Sequence, residues 1–171
     1  MLERSGIVTI KGQPVTLLGT ELKVGDKAPD FEVVDNDLAP ASLNVCGGKV
    51  CVITSVPSLD TPVCDLETRR FNQEAAELGQ GVKILTISMD LPFAQKRWCG
   101  SAGVDNVITL SDHRDASFGL AYGLLIKEMR LLARAVFVID GPGVIRYLQV
   151  VSELSGEPDY EAAISAVKKL L

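Results

Sequence analysis

A short, β-branched run, Val50–Val56, constrains this chain more than any other feature. It follows Gly47-Gly48 and reads as a buried strand. A loop bounded by Pro57 and Pro62 comes next. In the pattern beyond it, Cys64, Thr68, Phe71, Ala75 and Leu78 fall on one face of a helix. Gly79–Gly81 then breaks the helix before a second strand, Val82–Met89. Strand, helix and strand in that order require a right-handed crossover and parallel pairing. Cys64 is thereby placed in the first turn of a helix that leaves a buried strand. Free backbone N–H groups and the positive end of the helix dipole favour a thiolate there. Position alone leaves two uses open, a reactive thiolate or a small apolar core residue.

The remaining elements extend this unit. Residues 6–18 alternate weakly around Gly12-Gln13-Pro14 and read as a β-hairpin, and Phe31–Val34 as a short strand. Asp90 is placed to cap a helix with Pro92 in its first turn, and Cys99 falls in that helix's last turn, near Gly100 or Gly103. Val107–Leu110 reads as a third strand and Asp115–Tyr122 as a short helix. Ala135–Ile139 and Val144–Val151 flank the turn Asp140–Gly143 as an antiparallel hairpin. A closing helix begins near Pro158, with Tyr160 and Val167 on its inner stripe. The expectation is an α/β fold with a mixed central sheet, helices on both faces and an N-terminal hairpin, in one domain spanning residues 1–171.

Charge and composition narrow the function. A net charge of −5 argues against general nucleic-acid binding, which needs clustered Lys and Arg. No apolar run approaches a membrane span, and the N-terminus lacks the basic-then-apolar pattern of a signal peptide, so the reading is cytoplasmic. The four cysteines, at positions 46, 51, 64 and 99, contain no C-x-x-C pair. In a reducing compartment they are not expected to be structural staples. Irregular spacing and a single histidine, His113, argue against structural zinc. His113 reads as a structural or surface residue.

Pro57, Thr61 and Cys64 stand as P-S-L-D-T-P-V-C, which resembles the P-x-x-x-T-x-x-C signature of peroxiredoxins. SMDLPFAQKRWCG, NVITLSDHR, LLARAVFVID and EPDYEAA extend the resemblance over nearly the whole chain, toward the bacterial thiol peroxidase subfamily, of the atypical two-cysteine type. The resemblance implies a thioredoxin-like fold and a peroxidase acting on hydrogen peroxide and organic hydroperoxides, without metal, flavin or other cofactor. It implies that Cys64 is the peroxidatic cysteine and Cys99 the resolving one, joined as an intramolecular disulfide that thioredoxin reduces. Thr61 would hydrogen-bond thiolate and peroxide, Pro57 would shield the pocket, and Arg134 would hold the thiolate and polarise the peroxide. A homodimer is implied as well. Cys46 and Cys51 match neither working cysteine and are read as incidental, a reactive Cys46 being the alternative left open.

Two other functions compete. A disulfide oxidoreductase on the same fold lacks its expected C-x-x-C here, and a non-enzymatic binding or chaperone module would use the scaffold alone. The pairing of Cys64 with Cys99 also carries a geometric demand. Disulfide Cα atoms lie about 5.5 Å apart, closer than the roughly 8–10 Å between packed helix axes. Both segments must therefore shift or unwind when the bond forms.

Overall fold

The computed structural model describes all 171 residues. Eleven strands and four helices follow in order: β1 (Glu3–Ile10), β2 (Gln13–Leu18), β3 (Val33–Val34), β4 (Pro40–Ala41), β5 (Val50–Ser55), α1 (Pro62–Leu78), β6 (Val82–Ser88), α2 (Pro92–Ala102), β7 (Ile108–Ser111), α3 (Ser117–Ala121), β8 (Leu125–Ile126), β9 (Leu131–Leu132), β10 (Ala135–Ile139), β11 (Ile145–Val150) and α4 (Tyr160–Lys168). A seven-stranded sheet runs β11-β10-β5-β6-β7-β3-β4. β5, β6 and β7 are parallel, while β10 joins β5 and β11 joins β10 antiparallel. The expected mixed sheet is therefore present.

Alternation along β5 sorts its side chains into two cores. Val50 and Val52 face a cluster with Phe71 of α1, Val136 and Val138 of β10, and Ala163 and Val167 of α4. Trp98 and Ala102 of α2 pack on the same cluster. Cys51 and Ile53 face the other way, into a cluster with Val15 and Leu17 of β2, Phe118 of α3, and Phe137. One face of the sheet thus carries α1, α2 and α4. The other is covered by α3 and by a second, four-stranded sheet, β1-β2-β8-β9. The N-terminal hairpin is longer than expected, beginning at Glu3, and β8 and β9 complete its sheet.

Two local expectations are corrected. Leu91, not Asp90, occupies the N-cap of α2, with Pro92 in its first turn as expected. Asp90 turns back instead, accepting from Ser58 Oγ (2.7 Å), Leu59 N (2.8 Å) and Ser88 Oγ (2.8 Å). A carboxylate that can satisfy three donors, two from a neighbouring loop and one from the end of its own strand, gains more than one capping a helix end. The second correction concerns Cys46 and Cys51, which are joined as a disulfide with Cα atoms 5.7 Å apart. A 3-10 turn, Leu43–Cys46, ends on Gly47 and Gly48, both left-handed (φ 60° and 74°). This tight reversal, cheap only for glycine, carries Cys46 back onto the start of β5. No helix is long and apolar enough to cross a membrane.

Candidate active site

Parallel strands β5 and β6 deliver their following loops to the same edge of the sheet, where Val56–Thr61 leads into α1. Thr61 is the N-cap residue, Pro62 opens the helix, and Asp65 N makes the first helical bond to Thr61 O at 3.0 Å. Pro62 has no N–H to leave unpaired, and the N–H groups of Val63 and Cys64 precede the helical ladder. Cys64 is fully buried and packs with Val56 and Leu59.

Arg134 reaches this sulfur from a distant part of the chain. It lies between β9 and β10, anchored by Val151 N donating to its carbonyl at 2.9 Å. The residue is 1 % exposed. Nη2 donates to Cys64 Sγ at 3.3 Å and to Leu154 O at 3.0 Å, Nε to Leu154 O at 3.2 Å, and Nη1 to Glu67 Oε2 at 2.6 Å. Each face of the guanidinium fork is thus committed, which fixes its direction toward the sulfur. Burial opposes its charge, but Cys64 and Glu67 outweigh that and hold its pKa above the ordinary value.

Glu67 is the residue that sequence reading passed over. It is fully buried, one turn beyond Cys64, and its Oε1 has no hydrogen-bond partner. Burial raises its pKa to about 7, against the lowering influence of Arg134. A usable signal was present: position 67 is three residues from Cys64, on the face otherwise read as apolar.

Pro57, Thr61 and Arg134 line one cavity of about 450 Å³, together with apolar side chains such as Ile10, Met129, Leu131 and Leu154. Thr61 Oγ1 donates to Ser58 O at 3.0 Å, so the hydroxyl is oriented by its own loop. The structure therefore brings Pro57, Thr61, Cys64 and Arg134 together. Cys99 stands apart from them. It is a free, half-buried thiol with Sγ 3.4 Å from Thr109 Oγ1 on β7. Its neighbour Trp98, about 100° further round the helix, packs on the Val56–Leu59–Cys64 cluster and donates to Asp65 Oδ1 at 2.9 Å. Arg69 reinforces this junction between α1 and α2 by binding Asp65 Oδ2 (2.9 Å) and Ala102 O (3.2 Å). His113 lies just after β7, where its carbonyl accepts from Arg130, and takes no part in the site. No group of three or more His, Cys, Asp or Glu side chains is arranged to hold a metal ion.

A buried cysteine at a helix start, bonded to a buried arginine within a thioredoxin-like sheet, defines a class of thiol-redox proteins. The Redoxin family model matches residues 23–164, and the chain belongs to that family. Within it, the chain is similar to the thiol peroxidases. It is 60% identical over 164 residues to the thiol peroxidase of Halalkalibacterium halodurans, covering 96% of this chain and 98% of that protein. Against the thiol peroxidase of Bacillus subtilis the identity is 58% over 164 residues, with 96% and 98% covered. A crystal structure of a peroxiredoxin-like protein from Aquifex aeolicus superposes with a TM-score of 0.90 at 47% identity, covering 98% of each chain. A thiol peroxidase from Chromobacterium violaceum shares the fold, with a TM-score of 0.85 at 22% identity over 95% of each chain.

Proposed function

We propose that this protein is a thiol-dependent peroxidase in which Cys64 attacks the peroxide. The observation that carries the reading is the 3.3 Å bond from Arg134 Nη2 to Cys64 Sγ at the edge of an apolar cavity. A permanent cation that cannot swing away favours the thiolate, the nucleophilic form of the sulfur. The thiolate attacks one peroxide oxygen, the O–O bond breaks, and the second oxygen leaves with a proton as water or an alcohol. Arg134, Thr61 and the first-turn N–H groups are placed to bind the oxygens as charge moves onto the leaving one. Pro57 closes one side of the pocket. The product is a Cys64 sulfenic acid.

Cys99 then attacks that sulfur, water departs, and a Cys64–Cys99 disulfide forms. Since Cys99 Sγ lies against Thr109 on β7 while Trp98 occupies the face of α2 toward the Cys64 cluster, the last turns of that helix must unwind or rotate first. An external dithiol, thioredoxin in this reading, restores both thiols, and a cytoplasmic setting supplies it in reduced form. The substrates are hydrogen peroxide and organic hydroperoxides, and the protein acts as a homodimer, which sedimentation of the reduced chain tests. Peroxide consumption by Cys64→Ser separates the readings: the peroxidase proposal requires its loss, and a scaffold that only binds would keep its binding.

A further inference from the structure

The cavity lined by Pro57, Thr61 and Arg134 is not the largest opening in the molecule. A cleft of about 820 Å³ lies at the other end of β5, and Cys46 lines it. Cys51, bonded to Cys46, does not line it and is 0 % exposed, whereas Cys46, 7 % exposed and part of the same core cluster, is the one of the two that borders the cleft. From Cys51 to Ser55 the strand alone spans ~13 Å at about 3.3 Å per residue, and the chain continues past Ser55 before reaching Cys64. The Cys46–Cys51 bond is therefore out of reach of the Cys64 sulfur in the folded chain.

Charge around the cleft is uneven. Lys27 and Lys49 line it and neither forms an ion pair. Of the two carboxylates there, Asp140 is paired with Arg146 Nε at 2.7 Å. Asp30 Oδ1 accepts from Phe31 N (2.9 Å) and Leu43 N (3.1 Å). Two free ammonium groups thus stand against one carboxylate already held by the backbone. Gly47, Gly48 and Gly141 form part of the wall and present no side chains of their own there.

We propose that Cys46–Cys51 is a second thiol–disulfide site, separate from the peroxidase centre, that takes an anionic low-molecular-weight thiol at Cys46. The thiolate of that reagent enters the cleft between Lys27 and Lys49 and attacks Cys46 Sγ. The Cys46–Cys51 bond breaks, Cys51 leaves as a thiolate and takes up a proton, and Cys46 carries the mixed disulfide. A second thiol attacks the reagent's sulfur, releasing the oxidised reagent as a disulfide and Cys46 as a thiol. Two electrons pass from the two reagent thiols to the protein disulfide. Regioselectivity follows from access, since Cys46 borders the cleft and Cys51 does not.

The test is exposure of the folded, oxidised protein to reduced glutathione without oxygen, followed by acid quench, alkylation and tryptic mapping. Cleavage after Lys49 separates Cys46 from Cys51, and fragmentation separates Cys51 from Cys64. The expected result is glutathione on Cys46, an alkylated Cys51, and no adduct on Cys64 or Cys99. With cysteamine as a cationic thiol, and each rate divided by that for the denatured protein, glutathione should be favoured several-fold. Lys27→Gln with Lys49→Gln, in which fragmentation rather than cleavage after position 49 separates Cys46 from Cys51, should remove that preference. An adduct on Cys51, no reaction until the chain unfolds, equal normalised rates for both thiols, or free Cys46 and Cys51 thiols before treatment would each overturn the proposal. None of these readouts depends on peroxide turnover, so the inference stands or falls apart from the peroxidase reading.

Discussion

Glu67→Gln isolates the one buried carboxylate of the site. Glu67 ionises in the folded protein near pH 7, against an ordinary value of 4.5, because burial disfavours its charge more than Arg134 favours it. The folded state therefore binds a proton that the unfolded chain releases between those two values. Stability from this group is complete below about pH 4.5 and declines as pH rises toward and through 7. At ~1.4 kcal/mol for each pH unit of separation, the full loss is roughly 3 kcal/mol, of which roughly 2 falls between pH 5 and pH 8. Glutamine preserves shape and an acceptor for Arg134 but does not titrate. Asp112 is also raised, to about 6, by burial, so only the difference between wild type and variant is diagnostic. Urea unfolding of the reduced proteins should show the variant gaining roughly 2 kcal/mol on the wild type between pH 5 and pH 8. Parallel stabilities across that range would refute the reasoning, because Glu67 would then be ionised throughout as an ordinary partner of Arg134.

Other perturbations test the rest of the site. Arg134→Gln should slow the oxidation of Cys64 by roughly 100-fold or more, the scale of losing a positioned charge donor; stopped-flow rates within a few-fold of wild type would contradict the role. Trp98 is the only tryptophan, and its bond to Asp65 joins the two helices that carry Cys64 and Cys99. One equivalent of peroxide should change its emission in the wild type with the disulfide, and leave Cys99→Ser without that phase; unchanged emission on disulfide formation would rule out the helix rearrangement. Asp90→Ala removes the acceptor for Ser58 Oγ and Leu59 N and should destabilise the protein by about 2–3 kcal/mol. Amide exchange at Leu59 should rise with it.

The β5-α1-β6 unit was legible because each element has its own hydrophobic period and is long enough to show it. The same holds for the hairpin of β10 and β11 around Asp140–Gly143 and for α4. By contrast, β8 and β9 are two residues each, too short for any period, and exist because β2 offers β8 an edge and β8 in turn pairs β9. The position of Cys64 at a helix start could be reasoned from the chain, but Arg134 stands 70 residues away. Only resemblance placed it beside the sulfur, since no local pattern marks a long-range contact. Glu67 was missed because a carboxylate on an inward face reads as an exception until its buried partner is known. The Cys46–Cys51 bond escaped because it depends on two left-handed glycines, which local patterning permits but does not demand.

The most direct measurement is peroxide-dependent NADPH consumption coupled through thioredoxin and thioredoxin reductase, run on the wild type, Cys64→Ser and Cys99→Ser. The account predicts sustained turnover in the wild type, none in Cys64→Ser, and reduction of one equivalent of peroxide without turnover in Cys99→Ser. Normal turnover in Cys64→Ser would contradict it.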